Sequence, residues 1–424
     1  MKTPSTTHSL EKRIRRRVNG PMHDFFAVCA PGLETLCHQD LTSLQLSGNV
    51  METGGGIDFS SRLPGAYQAN LHHRIATRIL MRLTQFSATD FGRLSRKISE
   101  FPWELFLPNA CRLIIHVSTH HSRLYHTDAI GIRIRDGIAA HISIVEDPPD
   151  ETGKTDRDAS SVSVQQLFVR AVNDRFTLSI DTSGLPLYKR GIKTFGGPAP
   201  IRETLAAATL KLAGYTGTGP LIDPMCGSGT FSLEAAMMAQ NIPPGWLRSF
   251  AFEDWPGFRP KQWMHLRHQA EKEIVSQPKP IIFASDQSEK ALNLLNQTLE
   301  AHDFFTCIQT ARDDFFNIHP GKFGRTGLVV LNPPYGLRMG QIKESRELCQ
   351  EIMKKLTTDF RGWKLALMTP HDIFPERYHM QLTRHAIVHG GLDLTLYTGI
   401  IPLSTQNPKP KTQNFPYAHA NPAR

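Results

Sequence analysis

From Leu221 onward the chain alternates short apolar runs with stretches in which apolar residues recur every three to four positions. The runs "PLIDPM", "IIFASD", "FFTCIQT", "GLVVLNPP" and "WKLALMTP" are too short for helices and mostly lack polar alternation, so they read as strands covered on both faces. Helical periodicity near 230–240, 288–302 and 343–359 fills the intervals. That alternation predicts a doubly wound parallel sheet, whose ligands bind at the carboxyl ends of the strands.

The amino-terminal half has a different texture. "HDFFAVCAPGLETLCHQDLTSL" predicts a strand (Phe25 to Cys29), a Pro31-Gly32 turn and a helix to about Leu44. A turn and strand in "GGGIDFSS", an amphipathic helix near Pro64–Leu80 and a strand from Leu83 to Phe86 follow. Further on, "CRLIIHVSTH" reads as a strand, "HTDAIGIRIRDGIAAHIS" as a helix, and "VQQLFVRAV" and "RFTLSIDT" as strands. Residues 146–161 are a polar, Pro- and Gly-containing loop. Residues 23–190 are therefore expected to form small α+β units rather than one large sheet.

Composition narrows this picture little. The 424 residues are 40% hydrophobic and 21% charged, as in ordinary globular chains. No apolar run approaches the roughly 18 residues of a membrane span, and the first residues lack the apolar core of a leader, so a cytoplasmic protein is expected. Six scattered cysteines without a C-x-x-C pair argue against a zinc ribbon or a disulfide framework. The 19 histidines form no metal-ligand spacing, and no metal is expected. Of the net charge of +9, the first twenty residues hold six cations against one glutamate. "EKRIRRRVNG" thus reads as a disordered basic arm, and charge alone does not name a partner.

Chemistry enters with "LIDPMCGSGTFSLEAA". Asp223 closes a strand, Gly227-Ser228-Gly229 turns the chain, and Thr230 opens a helix whose free N–H groups suit an anion. A phosphate loop would need Gly-Lys-Ser/Thr, which is absent, and a dinucleotide fingerprint would want a small apolar residue where Ser232 stands. S-adenosylmethionine fits better, its methionine carboxylate and amine suiting the turn and Asp223. A mere tight turn would explain Gly-Ser-Gly but not the string from Asp223 through Met225, Cys226 and Ser228 to Thr230. Cys226 reads as a small packing residue within that turn. The next strand ends in Asp286, placed to accept from the two hydroxyls of a ribose. It lies 57 residues beyond Gly229 where about 20 is usual, so an insertion separates them. After the third strand comes Asp313-Asp314-Phe315-Phe316, where Asp314 is favoured to accept from an adenine amino group.

The fourth strand stops at Asn332-Pro333-Pro334-Tyr335. An exocyclic amino group on a base is a poor nucleophile because its lone pair is delocalised into the ring. The Asn332 side-chain oxygen and the Pro333 carbonyl can accept its two N–H bonds and stabilise the positive charge that develops. Two prolines stiffen the clamp, and Tyr335 offers a face on which an extruded base stacks. Methylation at a pyrimidine carbon would instead need a cysteine nucleophile, and none stands here.

Taken together, D-P-M-C-G-S-G-T (223–230) and N-P-P-Y-G-L-R (332–338) resemble the class I RNA methyltransferases that carry a THUMP domain, in particular the large-subunit rRNA guanine N2-methyltransferases of the RlmL type and their relatives with one catalytic domain. "FAVCAPGLETL", "LPGAYQANLHHRIATRILMRL", "SRLYHTDAIGIRI", "LYKRGIKTFGGPAPIRETLAAATL" and "LYTGIIP" extend the likeness over about residues 23–405. The resemblance implies a Rossmann-like α/β methyltransferase domain with a seven-stranded, mostly parallel sheet over 191–405. Before it would stand an α+β RNA-binding region, ferredoxin-like over 23–86 and THUMP over 87–190, flanked by tails at 1–22 and 406–424. By the same likeness Asp223, Met225, Gly227 and Gly229 line the methionine end of S-adenosylmethionine, Asp286 meets its ribose, Asp314 its adenine, and Arg202 packs beside it. The implied reaction is methyl transfer to guanine N2 in 23S rRNA. Rival readings are the same chemistry on tRNA, adenine N6 methylation of DNA, and a non-catalytic RNA-binding assembly factor.

Overall fold

The computed structural model describes residues 4–146, 162–193, 201–334, 342–370, 373–374, 380–389 and 392–403. The polar loop lies outside them from residue 147, and so does the carboxyl-terminal tail. Helix α1 (Pro4–Ile14) runs into a π-helical turn over Arg15–Asn19, so the expected disordered arm is helical instead. The reason is a pair of apolar residues one turn apart: Ile14 and Val18 share a face and are 8% and 1% exposed.

The amino-terminal sheet comprises β1 (His23–Val28), β2 (Val50–Thr53), β3 (Gly56–Ser61), β4 (Arg78–Ser87), β5 (Ala110–His120), β6 (Ser143–Ile144), β7 (Val164–Val172) and β8 (Arg175–Asp181). Helices α2 (Glu34–Thr42), α3 (Leu63–His72), α4 (Phe91–Glu100) and α5 (Thr127–Ala139) connect its strands. All eight strands join in one sheet ordered β2-β3-β1-β4-β8-β7-β5-β6, which overturns the expectation of separate small units. The cause is β4, whose two edges are both occupied: it pairs antiparallel with β1 through Phe25↔Met81 and with β8 through Leu80↔Asp181. The amphipathic helix expected to reach Leu80 accordingly stops at His72, and residues 78–87 are recruited as strand with Ile79 and Met81 fully buried. Helix α4 was not foreseen; Asp90 caps it, accepting from the Arg93 N–H at 2.9 Å.

The second sheet follows the expected alternation. Its strands are β9 (Leu221–Asp223), β10 (Ile282–Asp286), β11 (Ile308–Arg312), β12 (Leu328–Leu331), β13 (Lys364–Pro370), β14 (Leu382–His389) and β15 (Leu392–Ile400). Helices α6 (Glu203–Leu212), α7 (Thr230–Ala239), α8 (Pro260–Glu273), α9 (Glu289–Glu300) and α10 (Ile342–Asp359) accompany them. The order β11-β10-β9-β12-β13-β15-β14 is parallel through its first five strands and antiparallel at the last two. Chain order reverses direction at β9, with β10 on one side and β12 on the other, which makes its carboxyl end the switch point.

The insertion between α7 and β10 fastens the two sheets together. Tyr67 of α3 stacks on Phe252 with ring centroids 4.4 Å apart, and the Trp255 indole N–H donates to Gln165 at 2.8 Å. Beneath these contacts Glu234 of α7 accepts from the Arg190 guanidinium at 2.8 Å and lies 3.8 Å from that of Arg74. Arg74 also donates to the Ile242 carbonyl at 2.6 Å. Among the described residues no helix is long and apolar enough to cross a membrane.

Candidate active site

β9 ends in Asp223, and the turn that follows can be made only with glycines at two points. Gly227 and Gly229 have φ of +55° and +76°, where a side chain is strained. A Cβ on Gly229 would also stand 2.4 Å from Leu295 of α9. Gly227 differs, because nothing lies within 4 Å of the direction its side chain would take. The turn thus packs tightly on one side and is open on the other.

Backbone bonds tie this turn to the neighbouring strand. The Cys226 N–H donates to the Ser285 carbonyl at 3.0 Å and the Gly227 N–H to Asp286 at 2.9 Å. The second oxygen of Asp286 accepts from the Ser288 N–H at 2.8 Å. Asp286 therefore holds the turn in shape besides offering its remaining lone pairs outward.

Asp223 is 1% exposed, and one of its oxygens accepts from the Ser232 hydroxyl at 2.7 Å. The other, Oδ1, has no hydrogen-bond partner. Burial pushes this carboxyl up to about 7, against the pull of the Ser232 hydrogen bonds, and the charge of Asp286 adds to the rise. Cys226 is buried too, and burial raises its thiol far above the ordinary range, so it packs as an unreactive side chain. Met225 is half-buried, packed against the cluster that includes Ile222 and Phe315.

Two participants escaped the sequence reading. Ser232, which counted there only against a dinucleotide fingerprint, orients Asp223. Lys193 reaches in from the connector and donates to Ser228 at 3.2 Å and Thr230 at 2.6 Å, bringing an ammonium to the start of α7. Burial lowers its pKa, with Glu203 and Glu234 opposing the shift. Nothing local links residue 193 to residue 230; the sole signal was its place in "LYKRGIK". Arg202 stands at the start of α6 with its guanidinium 5.2 Å from the centre of the Tyr188 ring.

The remaining residues stand at the same edge of the sheet. Ile222 pairs with Val329, so Asn332 follows β12 two residues past the level of Asp223. With about 4.8 Å between strands and about 3.3 Å per residue, their Cα atoms are separated by roughly 8 Å. Asn332 is half-buried, Pro333 is buried and Pro334 exposed, while Tyr335 lies outside the described residues. Beyond β11, Asp314 caps a short helical turn by accepting from the Phe316 N–H at 2.9 Å. Among the described residues no group of three His, Cys, Asp or Glu side chains is placed to hold a metal ion.

Comparison with known proteins agrees with this geometry. Residues 190–397 match the RMKL-like methyltransferase domain, and residues 24–80 match the RlmL ferredoxin-like domain. Ribosomal RNA large subunit methyltransferase K/L of Psychromonas ingrahamii is 31% identical over 82% of this chain and 46% of its own length. The chain spans about half the length of the K/L relatives it matches. "Putative RNA methyltransferase slr0064" of Synechocystis is 29% identical over 88% of this chain and 95% of its own length. The crystal structure of a possible methylase from Clostridium difficile 630 superposes with a TM-score of 0.77 at 26% identity, covering 93% of this chain and all of that one. The chain therefore belongs to the methyltransferase family in which an RlmL ferredoxin-like domain precedes an RMKL-like methyltransferase domain.

Proposed function

We propose that this chain methylates the exocyclic N2 of guanine in 23S rRNA, using S-adenosylmethionine. One observation carries the reading: the glycine turn after β9, Asp286 after β10 and Asn332-Pro333 after β12 all stand at the carboxyl ends of three adjacent parallel strands. A donor and an acceptor of one methyl group fit between them.

The residues present suit this cofactor. The unpartnered Asp223 Oδ1 accepts from an ammonium, Lys193 and the start of α7 complement a carboxylate, and the open face of Gly227 admits close approach. When bound, S-adenosylmethionine supplies an electrophilic methyl on a sulfonium. Asp286 and Asp314 serve its ribose and adenine in this reading, and Arg202 supports the site from α6.

Asn332 and Pro333 act on the base. Their two oxygens accept the amino N–H bonds, aim the nitrogen lone pair along the C–S axis and offset the charge that grows as the N–C bond forms and the C–S bond breaks. The methylated amine then gives up one proton to water. Tyr335 is the stacking surface, and the THUMP-like region 87–190 grips the RNA. The names of the K/L and Synechocystis relatives support RNA as the substrate class, and a cytoplasmic site of action is part of the same proposal.

Mass-spectrometric mapping of methylated guanosine in 23S rRNA and tRNA from a deletion strain tests the substrate. Loss of one N2-methylguanosine from 23S rRNA is expected; loss from tRNA instead would move the substrate, and no loss would refute the activity. In vitro, Asn332→Ala should lower turnover about 10²–10³-fold with cofactor affinity within a few-fold. Wild-type turnover in that variant would remove Asn332 from the reaction.

A further inference from the structure

We infer that the basic helix ahead of β1 is a built contact surface for the phosphate backbone of the RNA substrate, separate from the catalytic edge; this rests on the RNA reading above. Three observations support it. First, the segment is fixed. Ile14 and Val18 are buried, Arg13 pairs with Glu104 at 2.6 Å, and the His23 ring nitrogen meets the Val18 carbonyl at 2.7 Å. The loop from the insertion closes over it, since a side chain on Gly257 would lie 2.7 Å from Val18.

Second, fixing the apolar face turns the cations outward. Lys12, Arg15, Arg16 and Arg17 are exposed, and among the described residues none of them forms an ion pair. Helix α4 is the contrast. Its Arg93, Arg96 and Lys97 each have a carboxylate of the same segment, Asp90 or Glu100, within 3.9 Å. The cations of α4 are thus compensated within their own segment. The amino-terminal helix concentrates uncompensated charge, which is how proteins attract a polyanion.

Third, this helix precedes residue 24, where the match to the ferredoxin-like domain begins. The spacing of Arg15, Arg16 and Arg17 suits the charge of a backbone rather than the edge of any one base, so the contact adds affinity and orientation without sequence preference.

The experiment measures binding of the full chain to a 23S rRNA transcript at several salt concentrations. The variants are Arg15→Gln/Arg16→Gln/Arg17→Gln and, as charge-matched control outside the RNA-gripping region, the exposed Lys261→Gln/Lys272→Gln/Lys279→Gln. Each lost phosphate contact should flatten the plot of log K against log salt by about 0.7–0.9, so the first variant should lose roughly 2 and the control close to none. Equal flattening in both variants would mean net charge alone matters, and an unchanged slope in the first would mean the helix touches no phosphate; either overturns the proposal while leaving the methyltransferase reading intact. Failure of the unaltered chain to bind the transcript would overturn both. Binding to vesicles containing phosphatidylglycerol, lost in the first variant while the transcript still binds fully, would assign the helix to a membrane surface and overturn the proposal.

Discussion

The two sheets bury their strands differently. β9 and β12 are buried at every position, so each presents chemistry only where it ends. β5 has only Cys111 and Leu113 buried and from Ile114, 40% exposed, alternates between half-buried and solvent-facing positions to its end. The first arrangement concentrates function at one edge, because parallel neighbours bring their carboxyl ends together whatever the sequence between them. The second spreads polar and apolar surface along a length suited to a long polymer. On the proposed reading the two sheets divide the work: one supplies a point at which a methyl moves, the other a surface over which a chain of nucleotides lies.

The sharpest way to break this pairing is at its seam. Glu234 is the carboxylate between Arg74, which follows α3, and Arg190 of the connector. Both Glu234 and Arg190 are almost fully buried. Glu234→Ala leaves two guanidinium groups without it, at an expected cost of about 3–5 kcal/mol. Urea unfolding followed by tryptophan fluorescence and by circular dichroism should change from coincident transitions to two separate ones. A loss below about 1 kcal/mol would show that the aromatic packing around Tyr67 and Phe252 holds the sheets together unaided.

A smaller effect separates support from contact within the catalytic edge. Asp286→Ala removes the acceptor of the Gly227 and Ser288 N–H groups as well as the proposed ribose partner. Titration calorimetry with S-adenosylhomocysteine should show affinity weakened about tenfold to a hundredfold, or about 1.4–2.8 kcal/mol. An unchanged dissociation constant would leave Asp286 no part in the cofactor site.

How far each sheet was legible follows from the same contrast. Strands buried on both faces show as apolar runs, and their ends were marked by Asp223, Asp286 and Asn332 without knowledge of neighbours. The joining of β4 to β8 is set by Leu80 meeting Asp181 across a hundred residues, and no local pattern encodes that. Residues 63–83 carry an apolar content compatible with either helix or strand, so only pairing on both edges decides for strand after His72. Charge misled in the basic arm, where five cations outweighed the two buried aliphatics that order it. Lys193 was hidden because its partners are 35 and 37 residues away.

The subtlest expected effect lies at Asp223 and depends on pH. Burial is the main reason its carboxyl titrates near 7 in the folded chain, against about 3.9 in an unfolded one. Between those values the folded chain holds a proton that the unfolded chain has lost. Stability from this site is therefore present below about pH 4, declines as pH climbs toward 7, and levels off above it. Asp223→Asn carries no such proton and removes the decline. Thermal unfolding at pH 6 and pH 7.5 should show the variant gaining on the native chain by on the order of 1 kcal/mol over that interval. Cofactor affinity should move the other way: the native chain binds more tightly as Asp223 ionises opposite an ammonium, while the variant stays weak at both pH values. Parallel stability curves for the two proteins would mean that Asp223 is already ionised in the folded chain, and the rise in cofactor affinity between pH 6 and pH 7.5 would then be absent as well.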